Sequence, residues 1–146
     1  MKKKIIYTVI GIFLLLQLIP VNRDNPKIEN DLFAPDDVKA ILKKSCYDCH
    51  SNETIYPIYS YIFPISILLA HHIEEGREEL NFSNWELYSN SKKSTKAKEI
   101  IEEIKEKEMP LYSYTLFHSG AILTPDEIRI LSDWAEEIQI KNESED

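Results

Sequence analysis

The chain has 146 residues, of which 43% are hydrophobic and 29% are charged, and its formal net charge at pH 7 is −8. This length suits one domain with a modest core, and such an acidic chain lacks the basic footprint that nucleic-acid binding needs. It contains only three glycines and no sustained strand-like alternation, so we expect an all-α domain.

The N-terminus combines positive charge with an apolar segment. Three lysines follow Met1, and an almost unbroken apolar run occupies residues 5–20. This pattern is typical of an export signal or an uncleaved signal anchor. Since no small-x-small cleavage site follows, the sequence favours a transmembrane anchor over residues 1–22, although the run is short for a span. The lysines would stay in the cytoplasm, which predicts an inner-membrane protein with its domain in the periplasm, or an exported soluble form if the segment is cleaved.

The remainder divides into three parts by composition. Residues 23–32 are polar and include one proline, which indicates a linker. Residues 33–140 contain the helical patterns and form the predicted domain. Residues 141–146 are a polar tail that we expect to fray.

The first helix of the domain is predicted over residues 35–44. Pro35 suits the first helical position, and two aspartates follow it in the first turn. Val38, Ile41 and Leu42 recur at helical spacing and form an apolar stripe. This helix leads directly into the next motif.

The motif Cys46-Tyr47-Asp48-Cys49-His50 contains both cysteines of the chain. The pattern C-x-x-C-H is the attachment signature of c-type haem. Two thiols with this spacing can add to the two vinyl groups of one porphyrin, and the adjacent imidazole can bind its iron. The sequence therefore predicts one covalent haem c held by Cys46 and Cys49, with His50 as the proximal iron ligand.

Two other chemistries share a C-x-x-C pair. A redox dithiol expects a thioredoxin-like βαβ pattern, and the sequence lacks a strand-rich context. A structural zinc site usually takes four Cys or His ligands, but no second cysteine pair occurs, and His71 and His72 are adjacent. Both alternatives stay open beside the haem interpretation.

The stretch after the motif is apolar, aromatic and twice interrupted by proline, over residues 55–64. Such a segment can wrap a flat apolar ligand or pack as ordinary core.

A second helix is predicted from residue 64 to residue 75, closing at Gly76, with His72 on its apolar face. Residues 77–93 then resemble a long polar loop with four inward anchors, Phe82, Trp85, Leu87 and Tyr88.

The third helix has the clearest pattern. Its charged residues lie opposite one apolar stripe, formed by Ala97, Ile100, Ile101 and Ile104. It should end near Glu108, because the residue before Pro110 is pushed out of the helical region.

The residue before Pro110 is Met109, the only methionine besides Met1. A loop can direct its thioether at an iron, and Met/His ligation is the cytochrome c pattern. Met109 is therefore the predicted distal ligand. The alternatives are His72 or His118 as a second histidine ligand, an open position, or a methionine that only fills a gap in the core.

The last helix begins at a capping box. Thr124 and Glu127 have the required spacing, and Pro125 stands at the first helical position. An apolar stripe follows, formed by Ile128, Leu131, Trp134, Ala135 and Ile138.

The chain resembles a family of single-haem "haem-binding domain" proteins, which are membrane-anchored or exported cytochrome c-like modules found chiefly in Bacteroidetes-type bacteria. The resemblance covers about residues 33–136. The matching segments are Cys46-Tyr47-Asp48-Cys49-His50-Ser51-Asn52, Tyr56-Pro57-Ile58-Tyr59-Ser60, His72, Glu75-Gly76-Arg77, Leu80-Asn81-Phe82-Ser83-Asn84-Trp85, Glu108-Met109-Pro110 and Tyr114-Thr115-Leu116-Phe117-His118. One departure is Tyr56-Pro57, where the family often has Trp-Pro. The resemblance implies covalent haem, proximal His50 and a cytochrome c-like helical fold.

These features predict an electron carrier rather than a catalyst. We expect a membrane-anchored monohaem c-type cytochrome that carries one electron at a time, with a redox partner protein that could be basic because the domain is acidic. The alternatives are a haem-based sensor or gas-binding module with an open distal site, or a small haem peroxidase. A peroxidase would need an acid–base group over an open iron, and the sequence does not place one.

Overall fold

The structure, a computed structural model, describes residues 2–143, and this part of the chain is helical, as predicted. Its α-helices are α1 (Lys2–Leu16), α2 (Asp36–Ser45), α3 (Tyr47–His50), α4 (Ile65–Glu79), α5 (Asn90–Glu106), α6 (Tyr112–Thr115) and α7 (Pro125–Glu143). Short 3₁₀ helices lie between them at Ile58–Tyr61, Phe82–Leu87 and Ser119–Ala121.

The core is built around α5 and α7, which pack against each other. The stripe predicted for α5 is buried throughout, and so is the centre of the α7 stripe. Trp134 of α7 lies 6.1 Å from Trp85, ring centroid to ring centroid, so the segment after α4 also closes onto this core. The buried side chains of the central cluster are Leu32, Val38, Ile41, Leu42, Tyr47, Phe82, Trp85, Ala97, Ile100, Ile101, Ile104, Leu131, Trp134 and Ala135.

The helix α2 places the cysteine motif on this core. It spans the predicted residues within one position at each end, and Val38, Ile41 and Leu42 are buried. Tyr47 follows in α3, is 3% exposed and stacks on Phe82 with 5.2 Å between ring centroids. Because Tyr47 is packed in this way, the orientation of α3 is fixed. The neighbouring residues Cys46 and Asp48 line a cavity.

The end predicted for α4 at Gly76 is wrong. The helix continues to Glu79, and the Leu80 N–H donates to the Gly76 carbonyl. Gly76 therefore lies inside the helix, where a close contact described below explains the glycine.

The long polar loop predicted over residues 77–93 is also wrong in part. Its centre forms the 3₁₀ helix Phe82–Leu87, and α5 begins at Asn90, where the Ser89 side chain accepts from the Lys92 N–H. Phe82 and Trp85 are buried as predicted, but Leu87 is 56% exposed. Aromatic stacking organises this segment, which a polarity pattern does not reveal.

The predicted transmembrane anchor over residues 1–22 is wrong, and so is the prediction of an inner-membrane location that depended on it. The helix α1 has 15 residues, which corresponds to about 22 Å, against a hydrocarbon core of about 30 Å. Its first three residues are lysines, which shortens the apolar part further. Within residues 2–143, no helix is both long enough and apolar enough to cross a bilayer.

The C-terminal end of α5 and the N-terminal end of α7 match the sequence patterns. The helix α5 closes at Lys107, which has a φ of 63°, two residues before Met109. The capping box at α7 is confirmed, since the Thr124 N–H donates to Glu127 at 2.8 Å and the Glu127 N–H donates to Thr124 at 3.2 Å. Of the predicted tail, residues 141–143 are helical and residues 144–146 lie outside the described part.

Candidate functional site

A cavity of about 580 Å³ opens between the cysteine motif, α4, α5 and the segment after α5. This volume lies within the range of small-molecule and cofactor sites, about 300–1,000 Å³. Most of the candidate residues line it, namely Cys46, Cys49, His50, His72 and Met109. Their convergence is a tertiary feature, because Met109 is far from the motif in sequence.

His50 has a defined tautomer and orientation. Its Nδ1 lies 2.8 Å from the Gly76 carbonyl oxygen and 3.1 Å from that of Leu80. Carbonyl oxygens only accept, so Nδ1 carries the proton and Nε2 keeps its lone pair. Burial lowers the pKa of the His50 imidazole, which keeps the ring neutral near pH 7. A neutral imidazole held through Nδ1–H is the form that binds a metal through Nε2.

Gly76 lets α4 approach the motif closely. A Cβ at this position would lie 2.8 Å from the Cys49 carbonyl oxygen and 3.2 Å from the Cys49 Cβ. The first distance is shorter than real Cβ contacts, so any larger residue would push α4 away from α3. The glycine therefore makes possible the hydrogen bond between its own carbonyl and His50. From its sequence position, Gly76 is predicted only to end the helix. The family triplet Glu75-Gly76-Arg77 is the signal that points to a further role.

Arg77, the residue after Gly76, holds the chain that follows the motif. Its Nε donates to the Ser51 carbonyl at 2.8 Å, and its Nη2 donates to Thr54 Oγ1 and Asn25 Oδ1 at 2.8 and 2.6 Å. These bonds hold the chain immediately after His50. Outside the family resemblance, the sequence pattern predicts no role for Arg77.

Both cysteines have free thiols that line the cavity. Burial raises the pKa of Cys46 to about 12, with a further contribution from Cys49. Burial and the neighbouring Asp48 raise the pKa of Cys49 to about 11. Both side chains are therefore protonated thiols near pH 7 while no group is bound to them.

The other histidines occupy different environments. His72 is half-buried, lines the cavity and lies one turn before Gly76 on α4. His118 is not among the cavity-lining residues and stacks on Tyr114 with 4.2 Å between ring centroids. His71 is exposed, with its Nε2 3.3 Å from Glu75.

Met109 and Pro110 are half-buried and line the cavity beyond the end of α5. The backbone N–H of Met109 donates to the Glu103 carbonyl at 3.2 Å, which fixes where the segment leaves the helix. The chain therefore brings a thioether and a neutral imidazole to one cavity from two separate elements.

Charged side chains also border the cavity. Lys96 is 14% exposed and lies 2.7 Å from Glu99 and 3.4 Å from Glu79, nitrogen to oxygen. The ion pair with Glu99 raises the pKa of Lys96, so this residue stays charged. Glu75 and Glu103 also line the cavity. Among residues 2–143, no group of three His, Cys, Asp or Glu side chains is arranged to hold a metal ion by itself.

Two thiols and a neutral imidazole, on one short helix and at its N-cap, face a largely apolar cavity in an all-helical domain. These features define the class of haem-binding helical proteins. The residues fit the group, because the cavity has cofactor size and His50 presents a free Nε2. A family model described as Haem-binding domain matches residues 11–137. The chain therefore belongs to the haem-binding domain family, and haem is its cofactor. Searches of curated proteins and of solved structures gave no match.

Proposed function

We propose that this protein is a monohaem c-type cytochrome that carries one electron at a time. In this proposal Cys46 and Cys49 bind one haem through thioethers, His50 is the proximal iron ligand and Met109 is the distal ligand. Bound haem supplies one-electron exchange at its iron. The chain supplies the ligands, the burial and the surface charge.

The observation that carries the proposal is the position of His50. Its Nδ1 is held by two backbone carbonyls, at 2.8 and 3.1 Å, and it lies beside two protonated thiols on the same cavity wall. Each thiol can add its S–H across one vinyl group, with sulfur bonding to one carbon and hydrogen to the other. This addition needs no oxidant or reductant, and it leaves His50 next to the second point of attachment.

The location of Met109 supports it as the second axial ligand. A haem held at Cys46, Cys49 and His50 would need its second iron ligand from a different wall of the cavity. His72 lies on α4, the same helix whose Gly76 carbonyl holds His50. Met109 lies on a separate segment beyond α5, so it would be better placed to supply that ligand.

Covalent attachment is tested by removing both thiols. Cys46→Ala with Cys49→Ala should abolish the haem that survives denaturing electrophoresis, and the intact mass should fall to that of the polypeptide. Each single variant serves as the control, because one remaining thioether keeps haem on the chain. Haem that persists on the denatured double variant would rule out thioether attachment.

A ligand-binding haem module with an open distal site is the second candidate. It is favoured by the exposure of the chain beyond Met109, where Tyr112, Leu116 and Phe117 are 76%, 58% and 69% exposed. Such a segment has little buried surface to hold it in place. Carbon monoxide separates the two functions, because it binds a reduced iron only where the sixth position is open or opens readily.

A further inference from the structure

The segment from Met109 to Ile122, here called the distal strap, closes one side of the cavity. Met109, Pro110, Leu111 and Tyr114 line the cavity, and Ala121 is buried near the far end of the strap. Most of its other large side chains are exposed. Its backbone hydrogen bonds are largely local, such as Tyr114 N–H to Leu111 O at 3.0 Å. Side chains must therefore determine how firmly the strap is held.

A short hydrogen bond joins the strap to the cysteine motif. The Tyr114 Oη donates to the Asp48 Oδ2 at 2.7 Å. The other carboxylate oxygen of Asp48 accepts from the Ile55 N–H at 3.0 Å, so the acceptor is itself held in place. Asp48 lies between Cys46 and Cys49, which makes it part of the attachment motif.

The Tyr114 ring is also fixed on its face. His118 stacks on it at 4.2 Å with an interplanar angle of 15°. The His118 Nδ1 is 3.1 Å from the Tyr114 carbonyl oxygen and 3.4 Å from the Tyr59 hydroxyl. Burial, with the bond to Asp48, raises the pKa of the Tyr114 phenol, so the hydroxyl keeps its proton and remains a donor near neutral pH.

We propose that the Tyr114–Asp48 hydrogen bond fastens the distal strap to the cysteine motif, and that Tyr114 is a positioning residue for Met109. This inference rests on the proposed role of Met109 as distal ligand. When the bond is broken the strap moves away more often, and the sixth position of the iron opens to small ligands. The hydroxyl thus determines whether the protein behaves as a closed electron carrier or as a ligand-binding module.

The test is the rate at which the reduced holoprotein binds carbon monoxide, measured by stopped-flow spectroscopy. Tyr114→Phe removes only the hydroxyl and should bind carbon monoxide about tenfold faster than the wild type, as expected when a hydrogen bond to a charged acceptor is lost. The far-red iron–thioether band of the oxidised protein should weaken in parallel. Met109→Ala, which lacks the proposed ligand, gives the rate of carbon monoxide binding expected for a permanently open site.

The matched control is Tyr112→Phe, two residues earlier on the same short helix. Tyr112 is 76% exposed and does not line the cavity, so its variant should bind at the wild-type rate. Equal acceleration by both variants would overturn the inference, because the effect would then not belong to the bond with Asp48.

The two proposals fail in distinguishable ways. If Met109→Ala binds carbon monoxide faster than the wild type but Tyr114→Phe binds it at the wild-type rate, Tyr114 does not fasten the strap. Met109 is then still the distal ligand. If Met109→Ala itself matches the wild type, Met109 is not the distal ligand and both proposals fall.

Asp48 provides a second route if Tyr114→Phe does not fold with haem. Asp48→Asn keeps a neutral acceptor for the hydroxyl, and Asp48→Ala keeps none. The inference requires faster carbon monoxide binding in Asp48→Ala than in Asp48→Asn, and equal rates in the two variants would overturn it.

Discussion

Gly76 is the residue at which the fold and the candidate haem site depend most directly on each other. Its missing side chain allows α4 to lie against the Cys49 carbonyl, and its own carbonyl accepts from His50. A helix-interior glycine normally costs about 0.5–1 kcal/mol relative to alanine. Here that cost is offset by a contact that no other residue permits.

Substitution of Gly76 should therefore reverse the usual effect of replacing glycine by alanine in a helix. Gly76→Ala places a Cβ 2.8 Å from backbone that cannot rotate away, so we expect a loss of about 1–3 kcal/mol in the free energy of unfolding. Denaturant unfolding of the holoprotein measures this loss. The displaced carbonyl should also weaken the bond to His50 and shift the Soret spectrum.

Gly11 is the control for this prediction. It lies within α1, and a Cβ there would meet nothing within 4 Å. Gly11→Ala should leave stability unchanged or raise it slightly. A Gly76→Ala protein as stable as the Gly11→Ala protein would contradict the close-contact argument.

At the scale of elements, the N-terminus of α7 links local and tertiary structure. Glu127 completes the capping box with Thr124, and its Oε1 also lies 2.6 Å from the Lys44 Nζ at the end of α2. One carboxylate thus caps α7 and ties it to the helix that carries the cysteine motif. The capping box was predictable from sequence, whereas the ion pair was not.

The charge on Glu127 should make part of the stability pH-dependent. The hydrogen bond from Lys44, followed by that from Thr124, lowers the pKa of Glu127 in the folded protein below its ordinary value. Its contribution is therefore present above about pH 4.5 and is lost as the pH falls through the lowered folded value. Glu127→Gln keeps the cap but loses the ion pair, and we expect it to be less stable by up to about 1 kcal/mol at pH 7.

Chemical denaturation at pH 7 and at about pH 3 tests this linkage, because the difference between the wild type and Glu127→Gln should shrink in acid. Asp126→Asn is the neighbouring control, since Asp126 is 88% exposed and lies 3.8 Å from Arg129. A stability difference for Glu127→Gln that stays constant with pH would show that the carboxylate charge is not its source.

At the scale of the whole molecule, acidic side chains outnumber basic ones around the cavity. Among the residues that the structure describes, four glutamates line the cavity, and Lys96 is the one lysine or arginine that does so. Lys96 is already paired with Glu79 and Glu99. Glu75 and Glu103 therefore leave an acidic surface there, on a protein whose net charge is −8.

This charge should appear in the rates of electron transfer to small oxidants. The rate with a cationic cobalt complex should fall as salt rises, and the rate with anionic ferricyanide should rise, because the Debye length shrinks to about 10 Å at 0.1 M salt. Glu75→Gln with Glu103→Gln should reduce both salt effects. Asp126→Asn with Asp133→Asn makes the same change in net charge at exposed positions that do not line the cavity. Equal effects from the two pairs would mean that only net charge matters.

Patterns confined to one element were predictable. The stripe of α5, the start and end of α2 and the capping box of α7 all follow from local spacing and capping chemistry, and all are present. Two predictions that depended on contacts with another element were wrong. The continuation of α4 past Gly76 and the 3₁₀ helix at Phe82–Leu87 depend on α3 and on aromatic packing. The predicted anchor failed because the apolar run forms a helix of only 15 residues.

The sequence by itself determined the chemistry of this protein. The spacing of Cys46, Cys49 and His50 predicts haem, because thiols and imidazole at that spacing suit one porphyrin, and the family match supports haem as the cofactor. The tertiary structure decided the arrangement around it. Only the packing of α4 against α3 assigns the His50 tautomer, and only the path of the strap brings Met109 and Tyr114 to the same cavity. These contacts join residues that are far apart in the chain. The spacing of residues within one helix carries no information about which distant residues meet in the folded protein.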